Sequence, residues 1–207
     1  MFEVVTIDAS GDANRSYCIL DRQAGKAWCV DPSFAARAVL DAANEASCAL
    51  TEVFLTHTHH DHVATLSELK RRPGVRVWAH PKEVQRVDGC VPLPAEGPLA
   101  AAPGVEVIFT PGHTPGGVCY RVDQALFTGD TLFVDWVGRA DFSGGDPMAL
   151  FESLAKLRSL PGDLVIHPGH HYGCVEKRTL AEEILKNKFL ACTDFERFLG
   201  LLPELAE

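Results

Sequence analysis

The sequence has few of the features that mark membrane, secreted or nucleic-acid-binding proteins. No apolar stretch approaches the roughly 18 residues that a membrane span needs. Lys and Arg number 19 against 28 Asp and Glu, a formal net charge of −9, which argues against nucleic acid as a bulk electrostatic partner. The opening residues, Met-Phe-Glu-Val-Val, have no basic lead, so we expect no secretory signal.

Paired cysteines are also absent. The seven cysteines are scattered, odd in number, and form no Cys-x-x-Cys pair. Together with the missing signal, this predicts reduced thiols and a cytoplasmic protein. Cys18, Cys29 and Cys119 lie in apolar strand-like runs, so we expect them to be small core residues.

The length and composition are typical of one globular domain. The chain has 207 residues, 46% of them hydrophobic and 23% charged. Residues 88–104 contain four prolines and three glycines, as a linker would. Because metal-type residues lie on both sides of it, we interpret this segment as a loop within a single domain over residues 1–207.

Strand-like and helix-like segments alternate along the chain. The expected strands are 2–7, 16–20, 26–31, 52–56, 75–79, 105–109, 117–122, 125–128 and 164–167. The expected helices are 33–46, 61–71, a short one from residue 81, one starting at Asp146, and most of 179–202. Two halves of strands with covering helices predict a pair of sheets packed between helices.

Histidine placement carries the functional information. Eight of the nine histidines fall in three short segments, 56–62, 111–116 and 167–171, and His80 alone lies outside them. The first segment reads Thr-His-Thr-His-His-Asp-His and directly follows an expected strand. Side chains two apart in such a turn can converge on one point, while the following Asp and His turn elsewhere. One loop can thus serve two adjacent cations, and imidazole with carboxylate suits zinc, iron or manganese.

Three further loops repeat this arrangement at strand ends. His113 follows a strand within Pro-Gly-His-Thr-Pro-Gly, Asp130 follows one within Thr-Gly-Asp-Thr, and His170 follows one within His-Pro-Gly-His-His. His167 and His171 are alternatives to His170, which stands directly after the Pro-Gly turn. We interpret His60 as a bystander.

In this order, the motifs resemble the metallo-β-lactamase fold over essentially the whole chain. The chain most resembles the branch containing hydroxyacylglutathione hydrolase (glyoxalase II) and persulfide dioxygenase. The resemblance implies an α/β fold, a four-layer αββα sandwich of two mixed sheets between helices. It also implies two divalent metals, with zinc favoured and iron or manganese as alternatives. The implied ligands are His57, His59 and His113 for the first metal, Asp61, His62 and His170 for the second, and Asp130 as the bridge.

The implied reaction is hydrolysis of a thioester-type substrate. Two cations roughly 3.5–4 Å apart hold a bridging hydroxide and polarise a carbonyl. Asp61 is the expected catalytic residue, because it would orient that hydroxide. The alternative is an Fe(II) persulfide dioxygenase acting on a glutathione persulfide-like substrate through His57, His113 and Asp130. A third hypothesis is a metal-bearing binding protein without turnover.

The substrate contacts implied by the resemblance are Arg139 and Tyr172. A salt bridge from Arg139 to Asp141 or Asp146 and a packing role for Tyr172 are the competing interpretations. Full glyoxalase II enzymes continue into a helical extension that supplies basic residues to glutathione. Here 37 residues follow His170, and Lys-Asn-Lys at 186–188 is a weak counterpart.

The expected partner is a small-molecule substrate, with a glutathione conjugate as one candidate. We expect neither nucleic acid nor a membrane as a partner. The helical tail carries an apolar set, Phe195, Phe198, Leu199, Leu201 and Leu202. Covering the core is the preferred interpretation of this set, and a homodimer contact is the alternative.

Overall fold

The computed structural model describes residues 2–202. The strands are β1 (Glu3–Asp8), β2 (Arg15–Asp21), β3 (Lys26–Val30), β4 (Ala49–Phe54), β5 (Arg76–Ala79), β6 (Val91–Pro92), β7 (Gly97–Pro98), β8 (Val105–Phe109), β9 (Val118–Val122), β10 (Ala125–Gly129) and β11 (Val165–Pro168). The helices are α1 (Ala36–Glu45), α2 (His60–Val63), α3 (Leu66–Lys70), α4 (Pro147–Arg158), α5 (Leu180–Lys186) and α6 (Phe195–Leu201). A short 3₁₀ turn spans Val84–Arg86.

The strands form two mixed sheets. In the first sheet the order is β1-β2-β3-β4-β5-β6, antiparallel up to β3 and parallel from β3 onward. In the second the order is β11-β10-β9-β8-β7, with only β10 and β11 parallel. The proline-rich segment contributes β6 to the first sheet and β7 to the second, so it crosses from one sheet to the other.

The sheets pack face to face, with helices on both outer faces. The core between the sheets is rich in aromatic side chains, including Tyr17, Trp28, Phe54, Tyr120 and Phe127. Helices α1 and α3 cover the outer face of the first sheet. Helices α4, α5 and α6 cover the outer face of the second. The predicted four-layer αββα sandwich is confirmed.

Two expected helices are interrupted. The helix expected over 61–71 is two short helices. Backbone groups near the break bond to a neighbouring loop instead of continuing the helix: Ser33 N donates to His62 O, and Thr65 N donates to Ser33 O. The tail expected to be mostly helical has a break at Asn187. The Asn187 side chain is buried and accepts hydrogen bonds from Phe189 N and Leu190 N, which turns the chain there.

The apolar tail packs on the core. Phe198 is fully buried against the Phe151 ring, and Phe195, Leu201 and Leu202 are partly buried in the same cluster. The seven cysteines are free thiols, and Cys18, Cys29 and Cys119 are buried as expected. Among residues 2–202, no helix is both long enough and apolar enough to cross a membrane.

Candidate metal centre

The strand ends bring the predicted ligands to one edge of the sandwich. The loop and first turn of α2 after β4 present four of them, His57, His59, Asp61 and His62. His113 follows β8, Asp130 follows β10 and His170 follows β11. The first sheet therefore supplies four of these side chains and the second sheet supplies three.

His57, His59 and His113, called the first triad here, form one convergent group. His59 Nδ1 lies 3.1 Å from His57 Nε2 and 3.0 Å from His113 Nε2. Nitrogens that share one tetrahedral zinc at 2.0–2.1 Å lie about 3.3 Å apart. The spacing of the first triad is therefore close to that of an all-imidazole zinc site.

Asp61, His62 and His170, the second triad, form the neighbouring group. His62 Nε2 lies 3.2 Å from His170 Nε2, and Asp61 Oδ2 lies 3.3 Å from His170 Nε2 and 3.6 Å from His62 Nε2. The amide of Asn14 donates to Asp61 Oδ2 at 2.9 Å and fixes its carboxylate. This group offers two imidazoles and one oxygen.

Asp130 lies between the two triads. Its Oδ2 is 3.5 Å from His113 Nε2 and 3.4 Å from His170 Nε2, and its Oδ1 is 3.3 Å from His62 Nε2. Gly169 makes room for this carboxylate, because a Cβ there would overlap Asp130 Oδ1. One carboxylate thus reaches imidazoles of both triads.

The far nitrogens of the rings are held by hydrogen bonds. His113 Nδ1 donates to Arg139 O at 2.8 Å, and His170 Nδ1 donates to Asp12 O at 2.7 Å. A carbonyl can only accept, so both rings carry a proton on Nδ1 and direct Nε2 into the centre. Such outer hydrogen bonds are typical of metal-binding histidines.

Asp31 is a candidate functional residue that the sequence analysis did not identify, because it lies in the turn just before the helix expected over 33–46. Its buried carboxylate accepts from Thr56 N at 2.8 Å and from Thr56 Oγ1 at 2.5 Å, and lies 3.0 Å from His62 Nδ1. The Thr56 oxygen is in turn 3.1 Å from His57 Nδ1. Asp31 also groups with His57 and His62 as a potential ligand set. Because its oxygens are already used by these donors, we interpret it as a support behind both triads.

Glu83 is a second residue that no motif indicated. Its carboxylate is buried and accepts from the Thr58 hydroxyl and, at 3.1 Å, from Gly116 N. Thr58 lies between two residues of the first triad, and Gly116 follows the third. Glu83 therefore ties the loop after β4 to the loop after β8.

The pKa shifts differ between the triads. Burial, followed by a neighbouring imidazole, lowers the pKa of His57 and His59, so both rings favour the neutral form that binds metals. Burial also acts to lower the pKa of His62 and His170, but the Asp130 carboxylate together with Asp31 at His62 and Asp61 at His170 outweighs it. The pKa of His62 therefore lies well above its ordinary value, and that of His170 rises to about 10.

The carboxylates shift in the opposite direction. Burial acts to raise the pKa of Asp61 and Asp130, but the imidazoles beside them dominate and lower both. The carboxylates are therefore paired with the His62 and His170 imidazoles, and a bound cation would take the place of the imidazole protons. Asp130 Oδ1 is buried and accepts no well-aligned hydrogen bond, although His62 Nε2 lies 3.3 Å away. Buried polar atoms normally have a partner, so this orphaned oxygen fits a metal ligand.

The remaining histidines lie outside both triads. His167 is buried between the Tyr17 and Phe127 rings, and His171 faces Glu176 at 3.8 Å. His80 contacts the Phe109 ring, and His60 contacts the Phe34 ring. Of the three candidates in the last segment, only His170 joins a triad.

Both predicted substrate contacts line a cavity of about 820 Å³ beside the triads. Arg139 pairs with Asp141 through two hydrogen bonds, of 2.9 and 3.0 Å. The Tyr172 ring stacks on His170 with centroids 4.9 Å apart, and its hydroxyl donates to Asp12 Oδ2 at 2.5 Å. Their roles toward a substrate stay predictions.

The Metallo-beta-lactamase superfamily pattern matches residues 7–170, a span that includes every residue of both triads. The chain belongs to this superfamily. Its members include BaeB of Bacillus velezensis, a probable polyketide biosynthesis zinc-dependent hydrolase, which is 32% identical over 182 residues, 84% of this chain and 80% of that protein. The hydroxyacylglutathione hydrolase of Rhizobium meliloti is 36% identical over 163 residues, 77% of this chain but 62% of that protein.

A solved structure extends the likeness to the whole superfamily domain. The crystal structure of ETHE1 from Myxococcus xanthus superposes with a TM-score of 0.85 at 28% identity, covering 100% of this chain and 92% of that one. The chain is thus similar both to a hydroxyacylglutathione hydrolase and to ETHE1. The resemblance indicated by the motifs is confirmed.

Proposed function

We propose that this protein is a binuclear metal-dependent hydrolase that cleaves thioesters. The position of Asp130 between two complete triads carries the proposal, because a shared carboxylate between adjacent donor sets suits a two-metal site. Zinc-dependent hydrolysis in a relative, BaeB, supports this class of reaction. Zinc is the favoured metal, with iron or manganese as alternatives.

In this proposal His57, His59 and His113 hold one metal, and Asp61, His62 and His170 hold the other, with Asp130 shared. When bound, two such cations lower the pKa of water and polarise a carbonyl oxygen. The chain's own residues then set the geometry of attack. Asp61, whose Oδ2 is fixed by the Asn14 amide, would accept a hydrogen bond from the attacking water through its carboxylate and orient it toward the acyl carbon.

The leaving group explains why a thioester is the first candidate. A thiolate leaves without needing much protonation, and the cavity offers no clearly placed general acid. Tyr172 is a poor proton donor, because burial, followed by Asp12, raises its pKa above the ordinary value for tyrosine. We propose that Tyr172 and Arg139 contact the substrate rather than transfer protons.

Fe(II) persulfide dioxygenase activity is the second candidate function. His57 Nε2 and His113 Nε2 lie 4.0 and 3.5 Å from Asp130 Oδ2, and two imidazoles with one carboxylate are a ligand set of non-haem Fe(II) sites. That chemistry would use His57, His113 and Asp130, and would leave His59 and the second triad without a role. The close approach of His59 Nδ1 to both other rings of its triad favours the hydrolase.

Metal stoichiometry on protein purified without chelator or added metal tests the proposal. We expect about two metals per chain, followed by hydrolysis in a thioester panel. One iron per chain, with oxygen uptake on glutathione persulfide, would instead establish the dioxygenase. Two metals without turnover of any thioester, ester or persulfide would favour a binding protein. The free thiols suit the cytoplasmic location that we propose for the enzyme.

A further inference from the structure

The cavity beside the triads has aromatic walls. The aromatic lining residues are Phe133, Trp136, Phe142 and Tyr172. The Phe142 ring stands edge-on to His59 and His113, with centroids 5.4 and 5.1 Å apart. The Phe133 ring stands edge-on to His170 at 5.8 Å. Apolar surface therefore begins directly beside each triad.

The charged groups of the lining balance one another. Outside the triads and Asp130, the charged lining residues that the structure describes are Asp12 and Arg139. One edge of the Arg139 guanidinium, Nε and Nη2, is bound by Asp141, so its charge is already paired. The Lys188 ammonium lies over the ring of Trp136, 5.7 Å from its centroid, and is not part of the lining.

An anionic substrate body would be poorly held here. A carboxylate or phosphate remote from the triads would meet either an Arg139 whose charge is already paired with Asp141 or the like charge of Asp12. Removing an anion from water without a partner is costly, whereas apolar groups gain by contact with the aromatic walls. The lining therefore favours uncharged over anionic substrates. Arg139 contacts the substrate while it is ion-paired with Asp141.

We infer, on the basis of the hydrolase function proposed above, that the substrates are thioesters with an uncharged, largely apolar body rather than anionic conjugates such as those of glutathione. In the reaction, a C–O bond forms between water and the acyl carbon, and the C–S bond breaks with its electron pair leaving on sulfur. The products are a carboxylate, a thiol and one proton, so no further reactant is needed.

Two hexanoyl thioesters with the same acyl group test the inference on the metal-loaded enzyme. One carries N-acetylcysteamine, which is uncharged, and the other carries glutathione, which has two carboxylates and one ammonium. We expect kcat/KM to be about tenfold or more higher for the uncharged ester. An equal or higher kcat/KM for the glutathione ester would overturn the inference while leaving thioester hydrolysis established.

Binding of stable thioethers gives a readout that does not depend on turnover. Isothermal titration calorimetry should give a lower Kd for S-hexyl-N-acetylcysteamine than for S-hexylglutathione. The reverse order would overturn the inference. If neither ester is hydrolysed, the proposed function fails, and calorimetry still decides which ligand charge the cavity prefers.

Two variants locate the effect in the lining. Phe142→Ala should lower kcat/KM for the uncharged ester about tenfold with metal content unchanged, because aromatic wall area is lost. The matched control is Phe34→Ala, since Phe34 is 41% exposed and outside the lining. Arg139→Gln should leave the ratio of the two esters within about threefold, since the arginine is already paired. A selective tenfold loss on the glutathione ester in Arg139→Gln would show a free anion site and contradict the inference.

Discussion

The two triads lie side by side but are built on different principles. The first consists of three imidazoles, and the outer nitrogens of two of them, His57 and His113, meet neutral partners, the Thr56 hydroxyl and the Arg139 carbonyl. The second includes a carboxylate, and the buried Asp31 carboxylate stands directly behind His62. The first triad therefore depends on geometry, and the second depends on charge. Asp130 contacts imidazoles of both triads, so its loss should be more damaging than any change confined to one triad.

Asp130→Ala is expected to have the largest effect, because it removes the group shared by both triads. We expect kcat/KM to fall by about three orders of magnitude or more, with metal content below one per chain. Elemental analysis and thioester kinetics measure both quantities. Retention of two metals would show that each triad holds its ion without Asp130, and it would contradict the role that we assign to this carboxylate.

His57→Ala tests the first triad alone. Removing one of three imidazoles should lose the first metal and lower activity by about a hundredfold or more, since the remaining two rings cannot hold it tightly. Metal content and kcat/KM should fall together. Full activity with normal metal content would reject the assignment of this triad as a ligand set.

Asp31→Asn tests whether charge matters more at the second triad. Metal affinity there should fall by about 10- to 100-fold, because His62 loses its anionic partner, while the first triad is affected only through Thr56. Competition with a chelator during stepwise metal removal would resolve the two sites. Asp163→Asn is the matched control, as Asp163 is exposed and bonds only Gln124 among its described hydrogen-bond partners. Equal weakening of both sites would contradict the distinction.

His167 is a buried histidine outside both triads, so its effect on stability can be compared with that of the triad histidines. Burial, followed by Lys177, lowers its pKa to about 3. Below its unfolded pKa of about 6.5, the unfolded chain binds a proton that the folded chain does not, so stability falls as the pH falls from 6.5 toward 3.

His167→Phe should remove this loss. Between pH 7 and pH 5, the free energy of unfolding of the variant should fall by about 2 kcal/mol less than that of the wild type. Urea unfolding at the two pH values measures the difference, and contributions from the triads cancel in the subtraction. An identical loss in both proteins would mean that His167 is protonated in the folded state.

Tyr172→Phe should give the smallest effect. It removes the hydroxyl that joins Asp12 beside the second triad but keeps the ring stacked on His170. We expect KM to rise a few-fold with kcat largely unchanged, which indicates loss of uniform binding. A large fall in kcat at constant KM would instead assign the hydroxyl a role in the chemical step.

Residues that belong to a local sequence motif could be predicted from the sequence. The histidine and aspartate loops follow apolar strands, so their convergence at one sheet edge was predictable. The role of Asp31 was not predicted, because its Asp-Pro-Ser context is equally typical of a helix start. Only the parallel pairing of β3 with β4 places it next to Thr56. Glu83 has no neighbouring motif, and its role depends on contacts with two distant loops.

The interrupted helices failed prediction for a related reason. Local periodicity favours a continuous helix over 61–71, but Ser33 takes the backbone groups that would have continued it. At Asn187 the side chain ends one helix and also donates to the carbonyl of Trp136 at 3.0 Å. In both places, partners distant in sequence override a local preference, and no short window of residues contains them.

Each triad takes its residues from both sheets, and this has a consequence for how the protein reaches its active form. A chain that has folded only the first half holds His57, His59, Asp61 and His62 but lacks His113 and His170, so neither triad is complete. Metal uptake therefore waits for contacts between residues more than 50 positions apart in the chain, which form late because their loops are entropically expensive to close. Metal binding would then stabilise a fold that is already complete rather than start its formation.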